Sequence, residues 1–329
     1  MKFSEMPYTR PDAEALKKQM SQLTERLQSA ASYEEARQVF LEKEAASRTV
    51  ETQATLASIR HSIDTRDTFY DGEEKFWNTF GPELEEYEQA WKAAMLDSPF
   101  RKDFSAEYGD LMFLNAEIAR KCFKPEIIPE MQQENDLTQE YEKLLASAQI
   151  PFEGKTYTLS QLTPLKSDPD DARRLAAWQA DAKWSMEHAA ELDELYDKLV
   201  HLRDSMGKKM GYEGYTTLGY YRMNRNCYTK EDVEKFRTAV QKYLVPVADK
   251  ICRKQAERLG KTYPLSFADL ALEFRSGNPR PMGTPDDILA QGMKFYGELS
   301  PETKVFFRTM LDNELLDVLS TEGKQAGGY

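Results

Sequence analysis

The chain has 329 residues, 40% hydrophobic and 30% charged, with a net charge of −12. A surplus of carboxylates argues against a duplex nucleic-acid binder and against an anionic membrane surface, since both need clustered Lys and Arg. The longest stretch without Asp, Glu, Lys or Arg is the ten residues 156–165, about half of what a helix needs to cross a bilayer.

The length suggests roughly two domains. The three cysteines, Cys122, Cys227 and Cys252, show no CxxC spacing. An odd, sparse set fits a reducing compartment better than a disulfide framework. The first residues carry no apolar run of signal-peptide length, so the expected location is the cytoplasm.

Taken in order, the chain reads as helix almost throughout. Ser32 with Glu35 forms a capping box that opens a helix to about Arg66, with a weak apolar stripe and many alanines. Gly81-Pro82 predicts a break, with a new helix over 83–96 that turns Leu84, Tyr87 and Trp91 inward. Ser98-Pro99 reads as another helix start, and 125–148 as a further helix. The run 150–159 has two short β-prone stretches around Glu153-Gly154-Lys155, which predicts a hairpin.

Asp168-Pro169-Asp170-Asp171 opens a helix expected to run unbroken to Lys209. Its buried face should hold Leu192, Leu195, Tyr196, Leu199, Leu202 and Met206. Thr229 with Asp232 opens the next helix, whose stripe is Val233, Phe236, Val240, Tyr243, Leu244, Val247 and Ile251. Pro246 lies inside that pattern and should kink it. Residues 260–283 read as an irregular connection. Thr284-Pro285-Asp286-Asp287 and Ser300-Pro301-Glu302 start two more helices. No 30–45-residue repeat is present, so a solenoid is not expected. The predicted fold is mostly α, with one small hairpin. The division is a helical lobe over 1–149, a hairpin connection over 150–166 and a further helical domain over 167–329.

The familiar catalytic patterns are missing. There is no G-x-S-x-G elbow, and His61, Ser62 and Asp64 are too close on one helix to converge as a triad. Gly323-Lys324 lacks the rest of a phosphate loop. None of the three histidines, His61, His188 and His201, has another four residues away, so no H-E-x-x-H zinc helix is present. Asp197, His201 and Asp204 could share a face and hold a metal weakly, but a solvated acidic face explains them as well. The tyrosine-rich, glycine-punctuated run 211–228 is the candidate binding element. Tyr221, Arg222, Asn224 and Arg225 have rings, amides and guanidinium groups suited to an extended peptide. The alternative is a tyrosine-rich packing joint between helices.

Several of these pieces resemble one family. Residues 150–155 with 158–162, Asp170-Asp171-Ala172-Arg173-Arg174, Gly211-Tyr212, and Gly323-Lys324 with Gly327-Gly328-Tyr329 are similar to segments of oligoendopeptidase F-type zinc peptidases, relatives of thimet oligopeptidase. The resemblance runs over essentially the whole chain. It implies an elongated, mostly helical enzyme with a channel between two lobes that admits short unstructured peptides. It also implies zinc held by two histidines of an H-E-x-x-H helix and a later Glu. Those residues lie downstream of Tyr329 in the family, so no catalytic or metal-binding residue carries over. Gly327, Gly328 and Tyr329 match a strand that lines the cleft and pairs with substrate backbone. The expectation is the N-terminal part of such a peptidase, inactive by itself, whose partners are an oligopeptide and the missing catalytic half. A helical peptide-binding or scaffold protein without catalysis is the alternative.

Overall fold

A computed structural model describes residues 1–328. The helices in order are α1 (Ala13–Ser29), α2 (Tyr33–Ile63), α3 (Thr68–Leu96), α4 (Arg101–Tyr108), α5 (Leu111–Ala119) and α6 (Ile128–Ala146). The hairpin β1 (Ile150–Phe152) and β2 (Lys155–Tyr157) follows, then α7 (Leu159–Leu162), α8 (Asp171–Glu187), α9 (Ala189–Lys209) and α10 (Tyr215–Arg222). The last four are α11 (Lys230–Ala239), α12 (Val245–Leu259), α13 (Pro285–Leu299) and α14 (Pro301–Asp312). The fold is therefore mostly α, with a single two-stranded antiparallel sheet among the described residues.

The chain forms two compact units. One comprises residues 9–145 and 187–245, the other residues 1–8, 146–186 and 246–329. In the first, α1 is opened by Asp12, whose carboxylate accepts from Ala15 N–H at 3.0 Å. Its Leu16, Met20, Leu23 and Leu27 recur at helical spacing and are buried against α2 and α3. The core continues through Ala36, Val39, Phe40, Trp91, Phe104 and Phe113. Ala36 and Ala57 of α2 have no exposed surface, which is where the alanine-rich stripe lets neighbours approach.

Gly81-Pro82 does not break the chain, because α3 runs straight through it. Pro82 has no N–H for the carbonyl of Asn78 four residues back. That carbonyl instead accepts from Asn135 Nδ2 of α6 at 3.1 Å, and Thr79 O accepts from Gln132 Nε2 at 2.9 Å. Two amides on a neighbouring helix replace the donors a proline disturbs. The helix expected over 168–209 is in fact two, α8 and α9, parted at His188 with φ −105° and ψ 9°. No glycine or proline marks that break. On α9, Leu195, Leu202 and Met206 are buried and Leu192 and Leu199 are half-buried, but Tyr196 is exposed.

Ser98 does not itself cap a helix. Its hydroxyl accepts from Phe100 N–H at 3.2 Å, and α4 begins at Arg101. After α11, Val240–Leu244 form a π-helical turn ahead of Pro246, and the helix continues as α12. An extra residue in the turn shifts which carbonyl faces the proline ring, so the chain need not stop there.

In the second unit, the hairpin pairs Ile150 with Tyr157 and Phe152 with Lys155. Its two-residue turn, Glu153-Gly154, has φ 50° and 76°, the left-handed pair that matches strand twist. The irregular run 260–283 is organised by Arg174, whose side chain is 1% exposed. Its guanidinium donates to the carbonyls of Ala268 at 3.0 Å and Asp168 at 2.7 Å, to Asp171 at 2.5 Å, and to Asp269. A buried cation with four acceptors is satisfied, and it ties a segment without regular structure to α8. Thr284 and Ser300 cap α13 and α14 as their sequence boxes require.

Candidate functional site

The run singled out by its tyrosines is the α9–α10 joint. α9 ends in two paired bonds: Gly211 N–H donates to Lys208 O at 2.9 Å and Tyr212 N–H to Gly207 O at 3.0 Å. Gly211, with φ 92°, supplies the left-handed residue this ending needs. Gly207 lies directly under the start of α10. A Cβ there would fall 2.5 Å from the carbonyl carbon and oxygen of Gly214. The joint thus depends on bare backbone meeting backbone. Beneath it Ile127, Met206, Met210 and Leu218 are buried, with Cys122, Met131, Tyr212 and Tyr215 around them.

Charge fixes the same joint. Glu134 of α6 accepts from Arg203 Nε of α9 at 2.7 Å and meets Arg222 of α10 at 2.8 Å. Burial pushes the Glu134 carboxyl up, but the hydrogen bonds from Arg222 and Arg203 outweigh it and hold it below the ordinary carboxylate range. Arg222 also donates to Tyr215 Oη at 3.0 Å. The Arg203 and Arg222 guanidinium groups together therefore close three helices on one carboxylate.

The other expected contact residues sit around this anchor. The Tyr221 ring packs 5.9 Å from that of Tyr212, with Lys121 Nζ 5.1 Å from its centre. Asn224 is exposed and left-handed, with φ 50°. The Arg225 guanidinium lies 4.5 Å from the Tyr220 ring and 5.4 Å from the Tyr228 ring. Tyr221, Arg222, Asn224 and Arg225 are thus neighbours at one helix end. Gly327 and Gly328 belong to the other unit. Neither lies in a strand: Gly327, at φ 103°, is in a bend, and Gly328 has no regular structure. A strand needs a paired edge, and β1 with β2 is the only pair among the described residues. Tyr329 lies outside the described residues.

The histidines are placed apart. His61 is buried, with Nε2 3.5 Å from Gln139 Nε2 and 3.6 Å from Asp71 Oδ1. Burial lowers its pKa despite the Asp71 carboxylate. His201 Nδ1 lies 2.9 Å from its own helix's Asp197 O, and Asp204 pairs with Lys208 at 2.7 Å. Among the described residues no three His, Cys, Asp or Glu side chains are grouped to hold a metal ion. No helix of the described residues is long and apolar enough to cross a membrane.

Sequence reasoning missed Glu134, the carboxylate that Arg203 and Arg222 share. The only local signal was an Arg at the end of a glycine-punctuated helix, whereas its carboxylate comes from a helix 88 positions earlier.

The family model for the Peptidase M3 N-terminal domain matches residues 3–123. No curated protein matches the chain. Among solved structures, a protein of Bacillus anthracis str. Ames, provisionally named oligoendopeptidase F, is 39% identical with a TM-score of 0.98. That match covers 100% of this chain and 60% of the other. PZ peptidase A, solved with an inhibitor, is 40% identical with a TM-score of 0.97, covering 100% and 58%. A second provisionally named oligoendopeptidase F is 37% identical with a TM-score of 0.97, covering 99% and 58%. The chain thus spans about three fifths of the length of these structures.

Proposed function

The chain belongs to the oligoendopeptidase F family of peptidases, and from that premise we propose that it is the N-terminal part of an enzyme that hydrolyses short peptides. One observation carries the reading. The chain is matched over its whole length by structures it covers only to 58–60%, and helices α11–α14 keep large apolar residues in water. Phe236, Tyr243 and Leu244 are exposed, as are Val247 and Ile251 further on. So are Phe295, Leu299, Val305 and Phe306. Soluble surfaces seldom leave so many large apolar side chains in water without a partner. The partner in this reading is the remaining two fifths of the relatives' length.

The domain plan belongs to the same proposal: a helical lobe over 1–149, the hairpin connection over 150–166, and the first part of a catalytic domain over 167–329. Zinc, its H-E-x-x-H helix and the catalytic base belong to the remaining part, since this sequence contains no such motif. This chain would supply cleft wall: Tyr221, Arg222, Asn224 and Arg225 at one helix end, and Gly327, Gly328 and Tyr329 as a substrate-pairing segment once its neighbours are present. The three sparse cysteines support a cytoplasmic enzyme.

Cleavage of a quenched fluorescent oligopeptide tests the reading. The 329-residue chain should leave the peptide intact with or without added zinc. A polypeptide that continues through a downstream H-E-x-x-H segment should cleave it, and a chelator should abolish the activity. An extended, folded, zinc-loaded polypeptide that spares every unstructured peptide would overturn the proposal.

A further inference from the structure

The chain leaving α14 turns at a strained corner. Glu314 adopts φ 58°, the left-handed region that residues with a Cβ rarely enter. Such a conformation persists where its surroundings determine it. Here the surroundings are the last carbonyls of α14, one of which accepts from Leu315 N–H at 2.9 Å, and residues 1–5, with a 3-10 turn at Phe3–Glu5. Phe3 N–H donates to Asn313 O at 2.9 Å. The Met1 amino group donates to Asn313 Oδ1 at 3.1 Å. Ser4 donates twice to Glu314 Oε2, from its backbone at 3.3 Å and its hydroxyl at 2.6 Å. Lys2 Nζ meets the other carboxylate oxygen at 2.9 Å.

An exposed ion pair alone would count for little. These five contacts instead converge on two consecutive residues, and one of them is backbone to backbone. They also use both oxygens of one carboxylate, which fixes its orientation. Beyond the corner the segment is held again within the same unit. Ser320 O accepts from Gln161 Nε2 at 3.3 Å, and Glu322 accepts from Gln149 Nε2 at 3.1 Å. Lys324 Nζ turns back to the carbonyls of Asp317 and Leu319 at 2.9 and 2.8 Å. The whole path from α14 to Gly327 is thus steered by side chains at its start, middle and end.

We propose that residues 1–6 form a clasp on this corner, and that Glu314 is the positioning residue through which the clasp sets the course of residues 315–324 toward Gly327 and Gly328. The clasp stands on its own contacts; only its consequence for substrate rests on the peptidase reading. α14 closes its own end at this corner, where Glu314 N–H donates to Leu311 O at 3.3 Å and Leu315 N–H to Met310 O at 2.9 Å, and the clasp adds a second hold from residues 1–4. The carboxylate is the one group that connects the corner to Lys2 and Ser4 together.

Deuterium exchange of the intact chain tests this. Glu314→Asn is the informative variant, because asparagine accepts the left-handed backbone but is too short to reach Ser4 and Lys2. Amides of 315–324 should exchange about tenfold faster, while those of α1 keep their wild-type rate. Ser4→Ala should give a smaller rise in the same segment. The charge swap Lys2→Glu with Glu314→Lys should recover part of the protection, which a merely local loss of packing would not. The proposal is overturned if 315–324 keeps its wild-type exchange in Glu314→Asn, or if the swap exchanges as fast as Glu314→Lys alone.

Discussion

In α1 the apolar residues at 16, 20, 23 and 27 are 2–7% exposed, whereas in α14 Val305 and Phe306 remain 65% and 61% exposed. Both helices start from a capping side chain, and both carry an amphipathic stripe. The difference is in what surrounds them. α1 lies on α2 and α3 and shares a core that includes Phe80. α14 has α13 on one side only, where the Phe307 ring stacks 4.6 Å from Tyr296 and sits against Gly292. Its remaining stripe faces water. An apolar stripe reports that a partner is needed, not that the partner lies in the same stretch of sequence.

The sharpest way to break this comparison is truncation at the centre of the sealed layer. Phe104 is fully buried among Tyr33, Phe40 and Tyr108. Phe104→Ala should cost about 3–5 kcal/mol in urea unfolding. A loss under about 1 kcal/mol would mean the layer is not close-packed. Gly207→Ala probes the α9–α10 joint of the same unit. Its Cβ would need 2.5 Å from Gly214 backbone, so a loss of about 1–3 kcal/mol is expected. Calorimetry showing no change would place the two helices farther apart.

Electrostatics sharpens the contrast. Burial, with Glu142 and Asp71 nearby, pushes the Glu74 carboxyl of α3 up to about 7. A raised carboxyl pKa gives stability that is full below the unfolded value and fades as pH rises through about 7. Glu74→Gln should therefore remove a loss of roughly 1–2 kcal/mol between pH 5 and pH 8. Parallel pH profiles for the two proteins would contradict this. Glu302 of α14 behaves oppositely, because a backbone N–H and the Ser300 hydroxyl hold its carboxyl below the ordinary range. Burying a carboxylate penalises its charge, while a solvated helix start favours it.

The smallest expected effect lies on the open stripe. Phe306→Ser should change stability by less than about 0.5 kcal/mol, while reducing binding of a hydrophobic dye. A cost like that of Phe104→Ala would show that Phe306 is already covered.

What the sequence made legible were features that act over a few residues. The helix starts at Ser32, Thr229, Thr284 and Ser300 were readable because a cap and its donor lie within one turn. The Glu153-Gly154 hairpin was readable for the same reason. Pro82 was misread because Asn135, which satisfies the carbonyl it leaves open, lies 57 positions away. The break at His188 carries no local signal, since the backbone departs from helix at one ordinary residue. In the candidate site, glycine spacing announced the α9–α10 joint, but the role of Arg222 depended on Glu134 from a distant helix. Gly327 and Gly328 matched a strand by sequence, yet a strand exists only with an edge to pair.

The central proposal is that the open stripe of α13 and α14 is an interface to the remaining part of the proposed peptidase. Hydroxyl-radical footprinting tests it directly, comparing this chain with a polypeptide extended to the length of its relatives. Labelling of Phe295, Leu299, Val305 and Phe306 should be strong in the short chain and fall about tenfold in the long one, while Phe104 and Phe113 stay unlabelled in both. Equal labelling of the four residues in the two polypeptides would contradict the account.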